Sequence, residues 1–192
     1  MKAERFWRHL EPLQVSLERY CRYMIHDRNA VEDVLQDAVA TAFADFDLFA
    51  EGTNFRAWIF RYLNFEIRAA NRRLHAKPHV ELSVEPVADD EWLLVFDEAS
   101  FENLLGSPDT VLQHCDDVIA TALGELGELE RSALLLKAVG GFKYREIAEI
   151  LEAPLGTVMS ALSRSRQRLR HELVEYGRER GLLTPERSQK DN

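Results

Sequence analysis

Apolar residues recur at three- and four-residue intervals on both sides of a stretch, residues 76–109, that has no such rhythm. This contrast constrains the fold more than any other feature of the chain. Before the gap, Leu13, Leu17, Cys21 and Met24 step at helical spacing after Pro12. Val31, Val34, Leu35, Ala38, Val39, Ala42, Phe43 and Phe46 follow as a second stripe. Asn29, with Glu32 three residues on, reads as the cap of that second helix. A loop at residues 50–54 leads to a third helix from about Phe55 to Leu74. After the gap the pattern predicts a helix at Thr110–Leu123, a turn through Gly124 and Gly127, and a helix at Glu128–Val139. A Gly140-Gly141 stop and two helices flanking Ala153–Pro154 complete it. No segment alternates as a strand would. The expectation is an all-α protein of two small helical domains: an N-terminal bundle at 1–75 and a C-terminal helix-turn-helix domain at 110–176. A long acidic linker at 76–109 joins them, and a polar tail at 177–192 follows.

The formal net charge of −9 argues against nucleic acid only until its distribution is considered. Residues 75–112 hold one basic side chain against nine acidic ones. Residues 1–74 balance at eleven each, and residues 113–192 hold twelve against thirteen. Each helical block therefore has room for a basic face. No apolar run approaches the roughly 20 residues that cross a bilayer. Met1 to Arg5 lack the apolar core of a secretory signal, so a cytoplasmic location is expected. Cys21 and Cys115 have no metal-ligand spacing and read as reduced, half-buried thiols.

The strongest local signal lies between Tyr144 and Arg170. Ile147, Ala148 and Leu151 form the inner face of a short helix, and Val158, Leu162, Ser165, Leu169 and Leu173 that of a longer one. In a helix-turn-helix the second helix enters the major groove. Its outward positions here are Met159, Ser160, Ser163, Arg164 and Gln167. Thr157, at the expected N-cap, suits a phosphate. At about 100° per residue, Arg164 and Arg168 share the groove side, while Arg166 and Arg170 sit nearer the phosphates. The stretch Ala122–Leu173 contains Tyr144-x-Glu146-Ile147-Ala148, Gly156-Thr157-Val158-x-Ser160 and Leu162-Ser163-Arg164-x-Arg166. It resembles region 4 of the extracytoplasmic-function (ECF) sigma factors, which implies that this domain reads the minus-thirty-five promoter element. Two positions depart from the family. Glu152 stands where Gly is usual, and a positive φ there costs about 1 kcal/mol. Ala161 replaces a common Arg, removing one possible phosphate contact.

In the first half, Glu32, Asp33, Gln36 and Asp37 lie opposite the apolar stripe of their helix as one acidic, amide-bearing patch. On composition alone it is a solvated face. The string Val31-Glu32-Asp33-Val34-Leu35-Gln36-Asp37, however, resembles the segment with which sigma factors grip the β′ clamp helices of core RNA polymerase. The third helix projects Phe55, Trp58, Ile59, Tyr62, Leu63, Ile67, Ala70 and Leu74 to one side. Phe60, Arg61, Asn64, Phe65, Arg68, Asn71, Arg72 and His75 fall in an arc of about 140° on the other. Phenylalanines among arginines suit a surface that binds phosphates and stacks on unpaired bases; the plainer alternative is that Phe60 and Phe65 pack on a neighbour. The segment from Asn54 to Arg73, with Phe55-x-x-Trp58 and Asn71-Arg72-Arg73, is similar to the sigma segment that recognises and melts the minus-ten element. Gly52, Thr53 and Asn54 correspond to the loop that captures a flipped-out base.

The two resemblances follow family order and together cover about 130 residues. They imply core RNA polymerase (β′ clamp helices and β flap) and promoter DNA as partners, an anti-sigma factor in many relatives, and no cofactor, metal or catalytic group. A rival reading is a regulator that binds duplex DNA without polymerase. Another is a metal-dependent phosphohydrolase built on His26-Asp27 and His9; His75, His79, His114 and His171 offer it no ligand spacing.

Overall fold

The computed structural model of the protein describes residues 2–74 and 122–179. The expected acidic linker, most of the helix at 110–123 and the end of the tail lie outside the described residues. The first half is four α-helices: α1 (Lys2–Leu10), α2 (Gln14–Met24), α3 (Val31–Ala44) and α4 (Phe55–Leu74). Sequence periodicity missed α1, which holds on by Phe6 and Leu10, one turn apart and both buried. Pro12, near the start of the 3-10 turn Glu11–Leu13, separates it from α2. Leu17, Tyr20, Cys21 and Met24 give α2 its buried face, and Val34, Ala38 and Ala42 that of α3.

The cap expected at Asn29 is absent. Asp27 instead accepts the Asn29 N–H at 3.0 Å and opens the 3-10 turn Arg28–Ala30, while Glu32 accepts from the Gln36 amide at 3.2 Å. An aromatic cluster then closes the base of the bundle: the Phe6 ring meets Phe43, Phe46 and Phe55 edge-on, and Trp58 lies 5.4 Å from Phe49. The chain turns through Gly52 at φ 83°, a left-handed conformation that suits glycine. Asn54 caps α4 by accepting the Ala57 N–H at 3.1 Å.

The second half holds α5 (Glu128–Ala138), α6 (Tyr144–Leu151) and α7 (Leu155–Glu179). The Gly-Gly stop has a steric cause. A Cβ at Gly140 would lie 2.5 Å from the Leu136 carbonyl oxygen and 2.4 Å from the Phe142 ring, and Gly141 has φ 60°. Glu146 accepts the Lys143 N–H at 2.7 Å and caps α6. Glu152 then takes up φ 52°, ψ 40°, the strained turn its position implied, and α7 departs after Pro154. Ile147, Ile150, Val158, Ala161, Leu162 and Leu169 are buried between α5, α6 and α7. Ala161 therefore faces the core, and the family's arginine contact has no outward place here.

The two halves touch. α5 lies against α2 and α6 against α4, and the buried apolar side chains of both halves belong to one cluster.

Candidate nucleic-acid interface

Residues Glu32, Asp33, Gln36 and Asp37 are all exposed along the face of α3 that points away from Val34 and Ala38. The four stand together as the sequence predicted. Among the contacts described, these carboxylates meet no cation, and the Gln36 amide donates to Glu32.

The α4 face divides differently from its projection. Arg61, Phe65, Arg68, Arg72 and Arg73 are exposed, and the first four follow one another at intervals of four, three and four residues, a single stripe. Phe65 is 62% exposed at its centre. Phe60, Asn64 and Asn71, expected on the same open arc, are buried. Phe60 meets Tyr20 and Phe142 edge-on, with centroids 5.5 and 5.0 Å away. The Tyr20 hydroxyl donates to Asn64 Oδ1 at 2.9 Å; burial pushes that phenol up from its ordinary pKa. Asn71 donates to the Met24 carbonyl at 3.0 Å and accepts the His26 N–H at 3.1 Å. The projection assumed one buried side, whereas α4 packs against α3, α2 and α6 and needs a wider buried arc. Buried asparagines are tolerated because each finds partners.

In the loop, Gly52, Thr53 and Asn54 are exposed, and the Thr53 hydroxyl donates to the Ala50 carbonyl at 2.6 Å. Asn54 is doubly engaged: besides capping α4, it donates from Nδ2 to Glu146 of the second half at 2.6 Å.

On α7 the exposed positions are Thr157, Met159, Ser160, Ser163, Gln167 and Arg168, with Met159 51% exposed. Thr157 sits in the first turn, two residues after the start of the helix, rather than at the cap; the Val158 N–H donates to the Pro154 carbonyl. Arg164 departs from its expected role. Its Nε donates to Glu130 of α5 at 2.7 Å, and Arg168 reaches the other oxygen of the same carboxylate at 3.4 Å. The Glu130 side chain is 10% exposed, so it needs this pairing, and Arg164 braces α7 on α5 instead of standing free over a groove. Arg166 lies 3.4 Å from the Tyr144 hydroxyl. No local signature in the sequence couples Glu130 to an arginine 34 residues on.

Polar contacts also cross between the halves: Arg61 to Glu152 at 3.4 Å, Arg68 to Glu128 at 3.0 Å, and Arg131 to the Met24 carbonyl at 3.4 Å. The Arg56 guanidinium lies 4.8 Å from the centre of the Phe142 ring. Sequence reading placed Met24 in an apolar stripe but found none of Arg56, Arg131 and Phe142; only the Gly140-Gly141 pair beside Phe142 hinted at a close approach. Of the residues of the rival metal site, His9 stacks 5.0 Å from Phe55 and Asp27 caps its turn. No helix among the described residues is long and apolar enough to cross a membrane.

Comparison with known proteins agrees with this geometry. Residues 9–76 match sigma-70 region 2 and residues 116–169 match sigma-70 region 4. The ECF RNA polymerase sigma factor SigW of Bacillus subtilis is 28% identical over 154 residues, 80% of each chain. The RNA polymerase sigma-H factor of Pseudomonas aeruginosa is 28% identical over 146 residues, 74% of this chain and 72% of that one. The fold is shared with the sigma factor RpoE of Bartonella quintana, solved with the anti-sigma factor NepR (TM-score 0.64, 24% identity, 88% of this chain and 97% of that one). It is shared too with CnrH, solved with the cytosolic domain of CnrY (TM-score 0.63, 22% identity, 90% of each). With regions 2 and 4 in order along most of its length, the chain belongs to the sigma-70 family, among the ECF sigma factors.

Proposed function

We propose that the protein directs core RNA polymerase to its promoters through three separate surfaces. The observation that carries this reading is their presence in one chain: the open acidic face of α3, the Arg61-Phe65-Arg68-Arg72 stripe of α4 and the outward face of α7. Glu32, Asp33, Gln36 and Asp37 dock on basic groups of the β′ clamp helices, where complementary charge speeds encounter and sets register. The stripe of α4, with Arg73 and the Gly52–Asn54 loop, holds the minus-ten strand. Its guanidiniums bind phosphates, and Phe65 offers a stacking face worth about 1–3 kcal/mol per base against the cost of unstacking. Phe60, Asn64 and Asn71 support that surface from beneath by fixing how α4 seats on α2.

At the upstream element, Gln167 has the amide geometry for adenine, Met159 suits a thymine methyl, and Thr157, Ser160 and Ser163 reach phosphates or base edges. Arg166 is assigned to backbone phosphates, and Arg168 keeps the groove side it shares with Arg164. Nucleotide addition belongs to the polymerase, so the chain itself does no bond chemistry and works in the cytoplasm. Since the sigma factor RpoE of Bartonella quintana was solved bound to an anti-sigma factor, a protein of that kind is a natural further partner.

Run-off transcription with purified core polymerase over a library of genomic promoters tests the reading. The expected result is initiation at a distinct promoter set only when the protein is present. An unchanged transcript pattern would end it.

A further inference from the structure

Residues 155–169 of α7 carry three arginines and no acidic side chain. Two of the three, Arg164 and Arg168, meet a single carboxylate from outside the helix, that of Glu130, at 2.7 and 3.4 Å. This carboxylate is also favoured by its own helix. Glu130 lies in the first turn of α5, where unpaired N–H groups attract an anion, and the N-cap Gly127 has no side chain to compete for them. A Cβ at Gly127 would come 3.9 Å from Glu130 Oε2, so the carboxylate lies back toward the start of the helix.

A phosphate that captured Arg164 would leave a carboxylate only 10% exposed without its cation, a strongly unfavourable exchange. Arg168, more exposed and farther away, is held less firmly. The other exposed side chains assigned above to the upstream element, Thr157, Met159, Ser160, Ser163 and Gln167, are neutral. Contacts between cations and phosphates supply nearly all sequence-independent affinity for duplex DNA, whereas contacts with base edges discriminate. Withholding arginines from phosphates therefore weakens binding to any duplex more than it weakens the choice between duplexes.

We propose that Glu130 is a specificity-determining residue: it keeps Arg164, and in part Arg168, from DNA phosphates, so that promoter choice falls to the neutral side chains of α7. Glu130 itself touches no DNA and is a positioning residue. The inference rests on the assignment of α7 to the upstream element.

The test is a cycle of full-length chains: the unaltered protein, Glu130→Gln, Arg164→Gln and the double variant. Each binds a fluorescent mixed-sequence duplex of about 20 base pairs in salt from about 50 to about 200 mM. Every cation that reaches a phosphate steepens the fall of log affinity with log salt by about 0.9. Glu130→Gln should steepen it by about 0.9–1.8, an extra gain of roughly threefold to twelvefold from the highest salt to the lowest. Arg164→Gln alone should leave the slope unchanged, yet in the Glu130→Gln chain it should take back about 0.9. A merely structural brace would lower affinity without this change of slope. Glu130→Met fills similar space without charge and should steepen the slope equally, which covers the case of an amide variant that fails to fold. With core polymerase added, the upstream duplex of a promoter used in run-off transcription competes against the mixed-sequence duplex. Preference for it should fall roughly threefold or more in Glu130→Gln.

An unchanged slope in the folded Glu130 variants, or equal flattening by Arg164→Gln with and without Glu130, overturns the proposal. A steeper slope with unchanged preference also overturns it, because the released cation then costs no specificity. Ser163→Ala with Gln167→Ala separates this failure from that of the α7 assignment. Lost preference for the promoter duplex keeps the assignment, and unchanged preference removes it as well.

Discussion

Glu130→Gln separates a bracing Arg164 from a base-reading one. The carboxylate is 10% exposed, accepts from Arg164 at 2.7 Å and meets Arg168 at 3.4 Å. A hydrogen bond to a charged group contributes about 1.5–3 kcal/mol. Arg164 is 31% exposed and regains some water when released, which brings its share to about 1–2 kcal/mol. Arg168, 46% exposed, adds at most about 0.5 kcal/mol. For a chain of this size each kcal/mol moves Tm by about 2–4 °C, so a fall of about 2–10 °C is expected in helical circular dichroism. A double-mutant cycle with Arg164→Gln should return a coupling of about 1 kcal/mol. Duplex binding at the upstream element should not suffer in Glu130→Gln, because the change frees a cation near the groove-facing surface. A coupling below about 0.3 kcal/mol, together with a loss of about 1–3 kcal/mol in duplex binding by Arg164→Gln, would refute the bracing role.

Reversing charge at Asp33 and Asp37, both exposed, should leave Tm within about 1 °C and weaken capture by core polymerase in a pull-down. Phe60→Ala should cost about 3–5 kcal/mol in denaturant unfolding, whereas Phe65→Ala should stay within about 0.5 kcal/mol yet impair promoter opening, read by permanganate footprinting. Burial pushes the Cys21 thiol up to about 12, so the native state holds that proton more tightly than the unfolded chain does. The associated stability is complete below the free thiol's pKa of about 8.5 and drains away as pH climbs from there toward the native value. Iodoacetamide at mildly alkaline pH should accordingly alkylate Cys21 only after unfolding.

Where periodicity is long and regular, the sequence sufficed: the third predicted helix spans Phe55–Leu74 as observed, and the strained turn at Glu152 falls where the motif puts it. The helix-turn-helix was legible because its inner residues repeat within one local unit. Helix α1 escaped because Phe6 and Leu10 are only two apolar anchors among charges, although their four-residue spacing was a usable signal. The face of α4 was misjudged for another reason. A projection shows that a helix has a buried side, but not how many neighbours share it, so Asn64 and Asn71 look solvated until Tyr20 and Met24 are found beside them. Pairings such as Arg164 with Glu130 depend on tertiary geometry and leave no local pattern.

The Met24 carbonyl has two donors, the Asn71 amide at 3.0 Å from its own half and the Arg131 guanidinium at 3.4 Å from the other. A carbonyl has two lone pairs, and losing the longer contact still leaves it satisfied. Withdrawal of α5 therefore strands no acceptor on α2, and the guanidinium that leaves goes to water, where its solvation is best. The hydrogen bond that ties α4 to α2 at this point thus stands on its own, whichever way the second half is held.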